Sequence, residues 1–237
     1  MISTPTIKKN QGFSLVEMAV VLVIFGLVVG SLLGPLTAHI EQQRRSETKL
    51  RLDTARDALY GYTITNLHMP CPDRKSGGAG TTYDTANDGV EDYSTATGLC
   101  ATQYGNLPWS TLALPSTDDW GTAIIYAVAS SFSARSPAAT FSISSTGNQR
   151  VCNESTCAAP RLTDTAAAVL LSQGPNAGTC VYGTCTDELE NSDSDADFVS
   201  HNPTANGVGG DEYFDDMVSW ISGPVLISKM ITAGRLP

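Results

Sequence analysis

The sequence predicts an α+β protein in which one long N-terminal helix packs on a small antiparallel β-sheet head. Three observations lead there. Residues 18–38 form an uncharged apolar run of 21 residues; residues 37–66 carry apolar positions at helical spacing on a charged background; and the second half of the chain holds short β-like runs separated by turn formers. With 237 residues and 41% apolar content, the chain can bury one substantial core.

The N-terminal run, MAVVLVIFGLVVGSLLGPLTA, is long enough for a helix to cross a hydrocarbon layer about 30 Å thick. Lys8 and Lys9 precede it, which keeps residues 1–12 on the cytoplasmic side and exports the body of the chain. No clean small-x-small cleavage site comes after the run, so the helix is expected to stay on the chain as a single-pass inner-membrane anchor with a periplasmic head. Gly26, Gly30 and Gly34 recur every four residues, the spacing that lets membrane helices approach closely. Gly34-Pro35 predicts a kink or a melted turn, because proline removes one helical hydrogen bond. Downstream, Leu52, Ala55, Leu59 and Tyr62 define an apolar face, and the helix is expected to run from Phe13 to about Asn66, roughly 80 Å at 1.5 Å per residue.

Met69-Pro70 stops that helix. The stretch to about Pro115 is rich in Gly, Ser, Thr and Asp and reads as loop. Strands are expected in AIIYAVASSF (123–132), TFSISS (140–145), AAAVLLSQ (166–173) and YFDDMVSWIS (213–222), with a short helix as the alternative for AAAVLL, whose uniform apolar run shows no period, and PVLISKMITAGRL reads as a closing amphipathic helix. Six cysteines, Cys71, Cys100, Cys152, Cys157, Cys180 and Cys185, all lie beyond the apolar run, as disulfides in an exported body would. Cys71 and Cys100 bracket the loop and are expected to pair. The C-x4-C pairs 152–157 and 180–185 leave open small disulfide loops or a four-thiolate zinc site.

Formal charge is −10, and residues 58–237 hold seven Lys/Arg against nineteen Asp/Glu. That argues against a nucleic-acid groove, since phosphate binding needs clustered cations, and leaves room only for a local basic patch. No H-E-x-x-H, G-x-S-x-G, Walker loop or dinucleotide fingerprint occurs, and His39, His68 and His201 are scattered, so no enzyme is expected. Oxygen-rich segments are the exception. Asp193, Asp195 and Asp197 alternate in NSDSDADF, with Asp187, Glu188 and Glu190 before them and Asp211, Glu212, Asp215 and Asp216 after. Hard cations take six to eight oxygens, which makes Asp193, Asp195, Asp197 and Asp215 a candidate calcium set. DTANDGVED (84–92) is a poorer one, because Ala86 stands where a ligand is needed.

Glu17 stands out, because an ionisable group at membrane depth costs several kcal/mol unless it is partnered. Gln11-Gly12-Phe13-Ser14-Leu15-Val16-Glu17, leading into the apolar run, resembles the class III signal of type IV pilins and type II secretion pseudopilins. The resemblance covers about the first 40 residues and extends weakly to MPCPD (69–73), LPWSTLALP (107–115), DDWGTAIIYAV (118–128) and FDDMVSW (214–220). It implies cleavage between Gly12 and Phe13 by prepilin peptidase, methylation of Phe13, and assembly on an inner-membrane platform with other pilin or pseudopilin subunits. It divides the chain into a leader (1–12), a long helix (13–66, with 13–40 in the membrane or filament core) and a head (67–237). It also implies a loosened helix near Pro35, and calcium in a C-terminal loop as in major pseudopilins. Cleavage would give Glu17 a partner in the freed Phe13 amine of a neighbouring subunit. The rival expectation is an anchored adhesin-like or ligand-binding head that never polymerises.

Overall fold

The computed structural model describes residues 14–76, 85–138, 140–177, 179, 185–204 and 213–236, without the side chains of 31–36. The chain divides into two compact units, residues 1–44 and 45–237. Helix α1 (Leu15–Asn66) begins in the first and ends in the second. It is assigned without a break through Gly34 and Pro35, so the melted turn expected there is absent. One missing N–H is tolerated when the flanking turns keep theirs.

The end of α1 is set locally. Leu67 turns into the left-handed region at φ 64°, and the Arg235 guanidinium donates to the Ile64 and Thr65 carbonyls at 2.7 and 2.6 Å. A cation on the last carbonyls satisfies acceptors that have no helical donor.

The head holds β1 (Tyr104–Asn106), α2 (Trp109–Leu112), β2 (Ile125–Val128), α3 (Ser130–Ser133), β3 (Gln149–Cys152), β4 (Thr163–Ser172), α4 (Thr186–Glu190), β5 (Asp197–Val199), β6 (Met217–Ser222) and α5 (Gly223–Thr232). The strands form one sheet in the order β1-β2-β4-β3-β5, with β6 also paired to β4. Every pairing is antiparallel except β3 with β5.

The α+β class is as expected, and AAAVLLSQ is a strand as read from sequence, the central β4. Three details differ. Only Ile125–Val128 of the 123–132 run is a strand. TFSISS is a turn, closed by Ser145 N–H on the Ser142 carbonyl at 3.0 Å. Among the described residues six strands appear where four were expected, because β1, β3 and β5 are only three or four residues long and show no period of their own.

Alternation along the strands gives the sheet two buried faces. On one, Tyr126, Val128, Ala168, Leu170 and Ile221 pack with Leu52, Ala55 and Leu59 of α1 and with Leu226 and Met230 of α5. On the other, Ile125, Ala127, Val169 and Leu171 pack with Tyr104, Val151 and Phe198. The helix face read from Leu52, Ala55 and Leu59 is therefore the one buried in the head.

Carboxylates organise the loop after α1. Asp73 accepts the N–H groups of Asn87 and Gly89 at 2.6 and 2.8 Å. Glu91 accepts the Cys71 N–H at 2.9 Å, the Tyr62 hydroxyl at 2.8 Å and the Arg135 guanidinium at 2.8 and 2.6 Å. Cys71 is bonded to Cys100, as expected from sequence.

Candidate functional site

Two regions drew functional expectations, the acidic C-terminal segments and the N-terminus. The acidic residues separate in the fold. Asp195 and Asp197 converge with Glu190, one carboxylate oxygen of each lying within 4.8 Å of the others. Asp215 instead joins Glu188 and Asp216, to the same limit. Asp193 belongs to neither group, is exposed, and accepts the Asp195 N–H at 3.1 Å. The set Asp193, Asp195, Asp197 and Asp215 thus does not form one site.

The Glu190 group lies toward solvent and is already engaged. Asp195 accepts the Asp197 N–H at 2.6 Å, and both Asp197 oxygens pair with Arg150. Burial, and after it the charges of Asp193, Asp195, Asp197 and Asp187, pushes the Glu190 carboxyl up. The Asp215 group is different in kind. Glu188 and Asp215 are each 1% exposed and Asp216 is 4% exposed. Burial pushes Asp216 well above the usual carboxylate range, Glu188 and Asp215 push the same way, and the hydrogen bond from Asn191 opposes them. Among the described residues of 84–92 no third metal-type cluster forms.

Among the described residues every cysteine is in a disulfide. Cys71–Cys100 and Cys152–Cys157 are disulfides, which removes Cys152 and Cys157 from any thiolate zinc site. Cys185 is disulfide-bonded, and Cys180 lies outside the described residues.

At the N-terminus, Gly12 and Phe13 lie outside the described residues. The described chain opens on a reciprocal pair that the spacing Ser14-x-x-Glu17 made legible and the charge argument passed over. Ser14 N–H donates to Glu17 Oε2 at 2.8 Å, and Glu17 N–H donates to Ser14 Oγ at 3.2 Å. This is a capping box, in which two N–H groups at a helix start are satisfied by side chains of the same turn. Beyond it the helix surface is apolar and uncovered. Leu15, Val16, Leu22, Phe25 and Leu27 are 65–87% exposed. A Cβ built on Gly26 or Gly30 meets nothing within 4 Å, so packing among the described residues does not require either glycine.

A lone acid in the first turn of such a helix, preceded by Gly-Phe, is the pattern that decides the comparison. Residues 7–33 match the prokaryotic N-terminal methylation motif. This is the class III prepilin signal, consistent with a type IV pilin-like protein or pseudopilin. No curated protein and no solved structure matches the chain.

The methylation motif supports a processed precursor like those of type IV pilins and pseudopilins, and implies processing by prepilin peptidase. It goes with a membrane-anchored chain that passes to a pilus or the periplasm, and with a structural rather than a catalytic role. Among the described residues no helix is long and apolar enough to cross a membrane. The uncharged run 18–38 includes positions 31–36, whose side chains lie outside that description.

Proposed function

We propose that the protein is a structural subunit of a type IV pilus-like filament, a minor pilin or a type II secretion pseudopilin. Prepilin peptidase cuts it between Gly12 and Phe13, and it assembles through α1. The observation that carries this reading is a methylation motif continuing directly into a helix with an uncovered apolar surface and one capped acid. Such a surface is untenable in water and has two coverings, lipid before assembly and the helices of other subunits after it.

Within that reading Glu17 has two roles. In a single chain it accepts the Ser14 N–H. In the filament its charge pairs with the freed Phe13 amine of a neighbour, so that two ionised groups enter the apolar core together. Before assembly, 18–38 crosses the inner membrane and the disulfide-bonded head lies in the periplasm.

Gly26 and Gly30 provide the test, because no contact among the described residues accounts for them. Replacing both with leucine widens the helix surface by two side chains and leaves the head untouched. The variant is expected to be processed and to keep its head unfolding transition, while filament material recovered by shearing or by envelope fractionation falls several-fold. Undiminished assembly in the double variant contradicts the helix-packed filament and favours the anchored, non-polymerising head.

A further inference from the structure

We infer that the outer edge of β6 and the cationic side of α1 beside it form a docking groove for an extended acidic segment of a partner protein, which joins the sheet as a further strand. Neither the groove nor its test rests on the filament reading.

The sheet leaves this edge open. Leu171 of β4 faces Ile125 of β2 on one side and Val218 of β6 on the other, so β6 is an outer strand. Among the described residues no second strand pairs with it, and no backbone hydrogen bond links 217–220 to any segment other than β4. Thr204 and Phe214 exchange two bonds at 3.0 and 3.4 Å just before the strand, and that pairing is not continued between 200–203 and 215–220. An outer edge of this kind presents unpaired N–H and C=O groups and is a template for another chain.

A groove of about 700 Å³ runs along the edge, bounded by β6, residues 200–203 and α1. Met217 and Ser219 belong to the sheet face under α1, and Val218 and Trp220 to the opposite face. All four line the groove, which places it at the backbone edge and not on either face.

Charge comes from α1. Arg45, Lys49 and Arg56 line the groove from one side of the helix, at i, i+4 and i+11. The helix follows the strand. Arg56 Nη1 lies 3.5 Å from Ser219 Oγ at one end. At the other end burial, and after it Asp215 and Glu188, push the Tyr213 hydroxyl up against the opposing charge of Arg45, which places that cation beside Tyr213. From 45 to 56 the helix rises about 16 Å, the length of about five residues of strand. Arg56 is paired with Asp53 at 2.9 Å, while Lys49 is exposed and holds no ion pair among the described residues. Asp216 also lines the groove, but burial pushes its carboxyl well up, so it repels an anion less than an exposed carboxylate does.

These features name the occupant. A small anion meets the cations and leaves the β6 edge unpaired, whereas an added strand satisfies both. Its side chains alternate between the two faces, so the segment carries Asp or Glu at every second position toward Lys49 and Arg56, with apolar residues between them against Val218 and Trp220. Residues 58–237 hold nineteen Asp/Glu against seven Lys/Arg, which repels such a segment from the rest of the head and directs it to this groove.

The test is fluorescence anisotropy of a labelled peptide of about ten residues, alternating Asp and Val, titrated with the full chain in detergent at fixed ionic strength. Saturable binding is expected, weakened at least about tenfold by Lys49→Glu and unchanged by Lys229→Glu, which removes a cation of α5 outside the groove. Lys49→Ala serves in the same way if Lys49→Glu does not fold. The same peptide methylated at every backbone nitrogen, and one of alternating Lys and Val, are each expected to bind at least about tenfold more weakly than the parent. No saturable binding, an unaltered affinity in the Lys49 variant, or an equal loss in the Lys49 and Lys229 variants would each overturn the assignment. Full affinity for the methylated peptide would overturn it by showing a plain anion site. Sedimentation of the chain alone as a dimer that Lys49→Glu dissociates would overturn it by giving the groove to a second copy.

Discussion

Replacing Glu17 with alanine is expected to leave a processed, membrane-inserted protein with a normally folded head that no longer enters filaments, a loss of at least tenfold. The helix start loses a capping acceptor worth about 1 kcal/mol, too little to unfold a helix whose second half is anchored by Leu52, Ala55 and Leu59. The larger effect lies in the charge. Glu17→Gln separates the two, because the amide still offers an oxygen to the Ser14 N–H and has no charge to give a neighbour's amine. If the charge carries assembly, Gln fails as Ala does. If the cap carries it, Gln restores assembly, and Ser14→Ala impairs it. The readout is the ratio of the chain in sheared or fractionated filaments to that in the membrane, with unfolding of the head as the control.

The second large effect is expected at the Arg135–Glu91 pair in the head. Both side chains are 10% exposed, the ion pair is 2.6 Å, and Arg135 also lies 3.9 Å from the Tyr93 ring and donates to Cys71 Sγ at 3.3 Å. Arg135→Ala leaves Glu91 buried without its cation and is expected to cost about 3–5 kcal/mol, or roughly 10 °C in the oxidised chain. Glu91→Gln is expected to cost less, about 1–3 kcal/mol, since the amide oxygen still accepts the Cys71 N–H and the amide NH2 can donate to the Tyr62 hydroxyl oxygen.

Acid sensitivity arises from the same contact. Burial pushes the Glu91 carboxyl up, but the hydrogen bonds and charge of Arg135, with the Cys71 and Tyr62 donors, outweigh it and hold the group below its ordinary 4.5. A depressed carboxylate contributes stability that is fully present above the unfolded value and is lost as pH falls through the folded one. Wild type should therefore lose this share below about pH 4.5, and Glu91→Gln should show a flatter profile there.

Much of this was legible in the sequence. The helix to Asn66 comes from a sustained 3.6-residue pattern, and the Cys71–Cys100 bridge from two cysteines bracketing a loop with little regular structure. TFSISS misled because it alternates like a strand. Only Phe141 is buried there, against Phe132, while Ile143 is 58% exposed, and the hydroxyls of Ser142 and Ser145 bond within the turn. The acidic segment misled for a related reason. Regular spacing of Asp193, Asp195 and Asp197 suggested a ligand series, yet their side chains serve neighbouring N–H groups and Arg150. Glu188 and Asp216, 28 positions apart in sequence, converge only through α4 and β6. Convergence of that kind depends on burial and topology, which spacing does not encode.

The central claim is that the chain is a processed filament subunit, and mass spectrometry of its N-terminal peptide tests it most directly, comparing sheared surface fibres with the cell envelope. The expected result is a peptide beginning at a methylated Phe13. Its presence in fibres would mark a pilus subunit, and its confinement to the envelope a pseudopilin. An intact 1–12 leader in every fraction would contradict the claim.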